Sequence, residues 1–268
     1  GPQTGMDESA LSMPDSIIKR PIHRIFSTGR IEKIEDEIVK EHRLLIRLDG
    51  KDFVQAALSP NLLEEFVLGF LRTRGLISGL QDVASIGIDG ATASAVRSPH
   101  LRRTLPELTL LESTGSRNID GNSAVRLTAS IPPSSLRVSS KVVADGIAAL
   151  AEMPIYKRTG GTHCAILFSE KGEPLFSAED IGRHNAVDKV VGGALKKGVD
   201  FSRSWLAVSG RLPADMVLKA VVVGIPLMAS VSAATSDGIE VAERFGLTVI
   251  GFVRGGKLNC YCHPERII

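Results

Sequence analysis

WLAVSGRLPADMVLKAVVVGIPLMASVSAATSDGIEVAERFGLTVIGFV, running from Trp205 to Val253, holds the alternation that decides the fold. Trp205–Val208 reads as a buried strand and Pro213–Val223 as a helix with proline in its first turn. Pro226–Val231 is a second strand, Gly238–Phe245 a helix ended by Gly246, and Leu247–Val253 the last strand. Just upstream, Ala165–Phe168 looks like a strand and Ala186–Lys197 a helix closed by Gly198. Strands this continuously apolar are covered on both faces, and strand–helix–strand repeats close by right-handed crossovers. The expectation for 134–268 is an α/β domain, a mostly parallel sheet in a three-layer α/β/α sandwich.

The first half differs. Residues 17–133 alternate short β-like runs with breakers, giving a smaller β-rich domain after a disordered tail, 1–16, that lacks a signal-peptide core. Ile38–Leu48 is the clearest run, ending at Asp49-Gly50. One helix interrupts the strands, opening at Ser59-Pro60 with the serine as cap and running through Leu62, Leu63, Phe66, Val67 and Phe70 towards Gly75. Ile131-Pro132-Pro133-Ser134-Ser135 reads as the linker between the halves.

Composition narrows the function. With 32 basic and 30 acidic side chains in 268 residues, net charge is +2, so no global field points to nucleic acid or membrane. Aromatics at 4% argue against a base-stacking surface, and no apolar run approaches the ~20 residues of a membrane span. Three cysteines, two of them one residue apart, make no disulfide framework, and a reducing cytoplasm is the expected compartment.

In open α/β sheets, ligands bind beyond the carboxyl ends of the strands. Those ends here carry Ser209-Gly210-Arg211, then Ser230-Val231-Ser232, then Arg254-Gly255-Gly256-Lys257. Glycine lets backbone approach a ligand, helix N-termini offer free N–H groups, and arginine grips anions with paired bonds. Together the three tips favour a phosphate-bearing ligand, with Arg211 and Arg254 on its phosphates. Thr159-Gly160-Gly161-Thr162 could form an anion nest or simply a tight turn. The run Glu179-Asp180-Ile181-Gly182-Arg183-His184-Asn185-Ala186-Val187-Asp188-Lys189 packs charge, amide and imidazole against an apolar helix face. Arg183, His184 and Asp188 are expected to line the same cleft as Ser209 and Ser232. A nucleotide enzyme using His184 as general base, paired with Asp180 or Asp188, is one reading of that cluster. Cys260-Tyr261-Cys262-His263 does not fit common zinc spacings, and no metal site is expected.

These motifs, with Lys157-Arg158-Thr159-Gly160-Gly161, Met216, Lys219 and His263-Pro264-Glu265-Arg266, resemble the FdhD family of formate dehydrogenase accessory proteins over most of the chain. The resemblance implies a cytidine-deaminase-like fold for the larger domain, a cytoplasmic homodimer, and sulfur passed from a cysteine desulfurase to a bis-molybdopterin guanine dinucleotide. By the same resemblance, the expected client is a molybdenum- or tungsten-dependent formate dehydrogenase, and GDP is expected to mimic part of the cofactor. The family's cofactor-binding segment maps onto Phe252, Val253, Arg254, Gly255, Gly256 and Lys257. Ser209, Gly210, Arg211, Ser230, Ser232, Thr159, Gly160, Gly161, Arg183, His184 and Asp188 complete the expected cofactor site. The zinc signature of true deaminases is absent, so deamination is not implied. The family's sulfur-carrying Cys-Gly-x-Cys-Gly falls on 112–118, where Thr114 and Arg117 take the two cysteine positions. Neither can carry a persulfide. The alternatives are a transferase with its sulfur site moved to Cys260 or Cys262, and a cofactor-binding chaperone or insertase without covalent chemistry.

Overall fold

The computed structural model describes residues 13–102, 111–112, 131 and 135–268. Period-2 patterning produces three separate sheets. β1 (Ile17–Ile25) and β2 (Ile31–Val39) form an antiparallel two-stranded ribbon. β3 (His42–Leu48), β4 (Lys51–Leu58), β5 (Val83–Asp89), β6 (Thr92–Arg97) and β7 (Leu111–Glu112) form a five-stranded sheet in the order β5-β6-β3-β4-β7. The single run expected over Ile38–Leu48 therefore divides at the exposed Lys40 and Glu41: its start belongs to the ribbon and the rest to the five-stranded sheet.

The largest sheet holds β8 (His163–Ser169), β9 (Pro174–Asp180), β10 (Ser204–Val208), β11 (Leu227–Ser230), β12 (Thr248–Arg254) and β13 (Lys257–Cys262), in the order β13-β12-β11-β10-β8-β9. Only β10–β11 and β11–β12 pair in parallel, while β8–β9, β8–β10 and β12–β13 are antiparallel. The mostly parallel sheet is thus corrected to a mixed one. Tight turns join β8 to β9 and β12 to β13, and a tight turn can only reverse the chain. Gly255 and Gly256, at φ +60° and +76°, make the second of these turns, a conformation that glycine adopts without strain.

Helices α1 (Leu63–Thr73), α2 (Pro99–Arg102), α3 (Ser140–Leu150), α4 (Pro154–Thr159), α5 (Arg183–Lys197), α6 (Ala214–Val223) and α7 (Ser236–Phe245) cover the sheets. Alternate strand residues divide the large core. Ala165, Leu167, Leu206, Val208, Met228 and Val249 pack against α5, α6 and α7, while Ile166, Phe168, Trp205, Ala207, Leu227 and Ile250 pack under α3. Three layers, α/β/α, result. The cap expected at Ser59 is not used: α1 begins at Leu63 after a left-handed Leu62, and Ser59 is fully buried elsewhere.

α1 joins the halves. One face, with Phe66, Val67, Phe70 and Leu71, fills the core of the five-stranded sheet. The other crosses α5 in backbone contact. A Cβ on Gly69 would stand 1.6 Å from the carbonyl oxygen of Asp188, and one on Gly192 would stand 1.7 Å from that of Glu65. Only glycine fits either position.

Candidate functional site

The carboxyl ends of the parallel strands β10, β11 and β12 open at one edge of the large sheet. Because β8 runs against β10, its start lies there too, as does the end of β9 with the start of α5. Every strand-end loop singled out in the sequence thereby meets at this edge. Side-chain and backbone bonds lace the loops together. Ser209 Oγ accepts from Cys164 N at 3.0 Å and lies 3.1 Å from His163 Nδ1. Ser230 Oγ donates to Gly210 O at 2.6 Å and accepts from Ser232 N at 3.0 Å. Phe252 N in turn donates to Ser232 O at 3.0 Å. Phe252 takes φ +51° beside a bulge in β12, the kind of local irregularity that re-aims a strand end.

Against these loops lies a cavity of about 540 Å³ beneath α3. Ile147, Leu150, Tyr156, Ile181 and Val231 supply apolar walls, and Gly160, Gly161, Thr162, His163 and Ser209 supply polar or small ones. An apolar cleft with a few convergent polar groups is the usual form of a small-molecule site. Arg183 stands at its border, with its Cδ 3.3 Å from where a Gly210 Cβ would be. Its Nε is buried and has no hydrogen-bond partner among the described residues. Burial first, and then the Arg183 cation, hold His163 below its usual 6.5, with Asp180 opposing, so the ring is neutral at physiological pH. The site thus offers hydrogen-bond donors and one guanidinium to an anionic or carbonyl-bearing ligand.

Other expected residues sit differently. Thr159 and Gly160 end α4: Thr159 Oγ1 donates to Ile155 O at 2.8 Å, and Gly160 adopts φ +64° as the helix terminator. This is the tight-turn alternative, with both glycines still on the cavity wall. Arg211 and Arg254 are exposed at the edge, and Arg254 lies over the Phe252 ring, 5.3 Å from its centroid. Gly255, Gly256 and Lys257 form the exposed hairpin turn, while the Val253 side chain is in the core under α3.

The sequence expectation for His184 and Asp188 is corrected. Both are buried beneath the site rather than lining it. Asp188 accepts from Lys219 Nζ at 3.0 Å at both oxygens, from Thr73 Oγ1 at 2.8 Å and from Arg74 at 3.4 Å. His184 pairs neither with Asp180 nor with Asp188: its Nε2 lies 3.1 Å from Asp215 Oδ2, close enough for an ion pair but not aligned as a hydrogen bond. Burial and Lys219 push His184 below its usual range, and it does not line the cavity as a base acting there would need to. Asp180, completely buried, accepts from Lys189 Nζ at 2.7 Å, Ser59 N at 2.9 Å, Asn185 Nδ2 at 3.0 Å and Gly182 N at 2.8 Å. Glu179 caps α4 through Ile155 N and Tyr156 N. The charged run therefore positions the loops from behind, while Arg183 alone among its charged groups borders the cavity. Ser59, Asn61, Thr73 and Asp215 were not legible as partners, because each is distant in sequence or unremarkable in type.

No thiol is poised for attack. Burial raises Cys164 and, with Glu179, keeps it protonated; burial pushes Cys262 up to about 11 and also raises Cys260. Cys262 Sγ contacts Leu247 O, just before β12, and Cys262 pairs in register with Val249, some five residues and roughly 16 Å along the strand from the Arg254 tip. Closeness in sequence to the cofactor segment does not bring Cys262 to the cavity. Thr114 and Arg117 lie outside the described residues.

Comparison with known proteins bears on what this edge serves. The FdhD/NarQ family profile matches residues 39–268. A sulfur carrier protein FdhD of Methanothermobacter thermautotrophicus is 37% identical over 241 residues, spanning 88% of this chain and 93% of that protein. One from Streptomyces coelicolor is 37% identical over 272 residues, spanning 93% and 95%. A crystal structure of a candidate formate dehydrogenase accessory protein from Desulfotalea psychrophila superposes with a TM-score of 0.79 at 25% identity, covering 94% of this chain and all of that one. No helix among the described residues is long and apolar enough to cross a membrane.

Proposed function

The chain belongs to the FdhD/NarQ family, and from that premise we propose that it serves formate dehydrogenase maturation by binding a guanine-dinucleotide molybdenum cofactor at the carboxyl edge of its large sheet. The cofactor is cargo here, handed to the client dehydrogenase. The observation that carries the reading is the convergence of four strand-end loops on one cavity, those before β8 and after β9, β10 and β11, beside an Arg183 Nε that has no partner among the described residues. Gly160, with nothing within 4 Å of where a Cβ would stand, leaves room for a ligand to reach the backbone, and Arg183, with Arg211 and Arg254 further out, supplies charge for phosphates. His163 is neutral with its Nδ1 3.1 Å from Ser209 Oγ, and in the tautomer in which Ser209 donates to Nδ1 its Nε2 carries the proton that a ligand oxygen would accept.

Binding without covalent sulfur transfer is the version we favour. A persulfide forms on a thiolate, and the three thiols are all held above their ordinary range. The competing version, supported by the sulfur-carrier names of the relatives, relays sulfur through Cys260 or Cys262. Complementation separates them. In a strain lacking its own FdhD protein, a chain with Cys164→Ala, Cys260→Ser and Cys262→Ser should restore formate dehydrogenase activity as well as the parent does. Restoration by the parent alone, with the variant folded and GDP-binding, would establish the relay instead.

A further inference from the structure

Two helix starts flank the ligand edge. α5 begins with Arg183 on the cavity border, and α6 begins at Ala214, just after Arg211, Leu212 and Pro213. One side-chain contact ties them from behind. His184 Nε2, in the first turn of α5, lies 3.1 Å from Asp215 Oδ2, in the first turn of α6. Each residue is only 6% exposed, yet neither atom has a hydrogen-bond partner among the described residues, the pair being close without being aligned. The other oxygen, Asp215 Oδ1, accepts from Met216 N at 2.8 Å. Only the side facing the imidazole is left open, and a bond left unmade between buried polar groups is costly.

The surrounding charges explain why it stays open. Asp188 faces His184 from its own helix, Asp215 and Lys219 face it from α6, and Arg74 of the first half closes the cluster beyond Asp188. Arg74 and Lys219 balance Asp188 and Asp215, so with His184 neutral the buried cluster carries no net charge. A proton on His184 would give Asp215 its donor but leave one positive charge buried and uncompensated. The missing element is a negative charge just outside the cluster. The cavity border at Arg183, the residue adjacent to His184, is where a ligand phosphate would bring it.

We propose that His184 and Asp215 are the positioning pair of the cavity: an anion entering beside Arg183 draws one proton from solvent onto His184, and the imidazolium closes on Asp215, drawing the Arg183 and Arg211 loops together. The ring gains one proton and one positive charge, and no covalent bond between heavy atoms changes. The inference rests on the reading of the cavity as an anion site. Burial and Lys219 hold His184 below its usual range in the free chain, so the complex binds more protons at this ring than the free chain does. Binding therefore strengthens as pH falls through the window between the bound and the free pKa of His184 and levels off below it, with about tenfold per pH unit as the ceiling for one proton. His163 in the cavity wall and the ligand phosphate also titrate, but they do so in parent and variants alike. Lys219, at about 8, stays charged below neutrality.

Calorimetric titration of GDP into the parent, His184→Gln and Asp215→Asn proteins, from about pH 7 down to about pH 5.5 and in two buffers of different ionisation heat, tests it. The parent should take up more protons per GDP than either variant, and its advantage in affinity should widen severalfold as pH falls. Asp215→Asn is nearly isosteric and answers the question even if His184→Gln does not fold. Equal proton uptake in parent and variants, an advantage that is the same at every pH, or variants that lose binding at every pH would mark the pair as merely structural and overturn the inference while leaving the parent's GDP binding in place. A parent that binds no GDP removes the inference together with the reading beneath it.

Discussion

Replacing Lys189 by methionine tests the claim that the charged run acts from behind the site. Lys189 is completely buried and donates to Asp180 at 2.7 Å, to Ser59 O at 3.1 Å, and to Ser59 Oγ and Asn61 Oδ1 at 3.2 Å. Methionine fills most of the space, so the loss is electrostatic: Asp180 keeps its N–H donors and loses its counter-charge. Breaking one partner out of a buried pair costs about 3–5 kcal/mol, against a total stability on the order of 5–15 kcal/mol. For a chain of this size that corresponds to a fall in Tm of roughly 6–20 °C. Because Ser59 and Asn61 belong to the first half and Lys189 to α5, the join between halves should loosen first. Urea unfolding followed at Trp205, and by circular dichroism, measures the loss and shows whether the two signals separate. A loss below about 1 kcal/mol would refute the reasoning, since it would mean that Asp180 needs no cation.

Gly192→Ala places a methyl where Glu65 O already lies, so it should cost more than the ~1–3 kcal/mol of ordinary overpacking; thermal melts read this directly. Burial lowers Lys219 from 10.5 to about 8, with Asp188 opposing and Arg74 adding to the fall. Between those two values the unfolded chain binds more protons at this position than the folded one, so stability from this group rises with pH across the window; a Lys219→Met protein should lack that slope in urea midpoints taken through it. At neutral pH a thiol-reactive disulfide should label Cys164 and Cys262 only on unfolding, and Cys260 slowly, as counted by absorbance with and without denaturant.

Strands β8, β10, β11 and β12 and helices α5, α6 and α7 were legible because they are apolar or apolar-faced runs bounded by glycine or proline, as in Leu247 after Gly246, whereas α3 and α4 were not read. β9 was not, because it is an edge strand that starts with Pro174 and ends in Glu179-Asp180, a composition that reads as a loop. Missing it hid the hairpin and made the sheet look more parallel than it is. Ser209, Gly210, Ser230 and Ser232 could be placed at the carboxyl edge from their position after strands, and of the four Ser209 lines the cavity. Asp188 and His184 were misplaced for a physical reason: a polar side chain looks the same in sequence whether it meets a ligand or a buried lysine thirty residues away. Lys219 and Thr73, which decide the matter for Asp188, are not helical neighbours of it. Gly69 and Gly192 could have signalled the helix crossing, since a glycine inside a strong helix pattern usually has a packing reason.

Calorimetric titration of GDP into the purified chain and into Arg183→Ala and Arg254→Ala proteins tests the central claim most directly. The account predicts that the parent binds and that each arginine contributes one charge-assisted contact of about 1.5–3 kcal/mol, so each substitution weakens binding roughly 10- to 150-fold. A parent that takes up no GDP, or an Arg183→Ala protein that binds it as tightly as the parent, would contradict it.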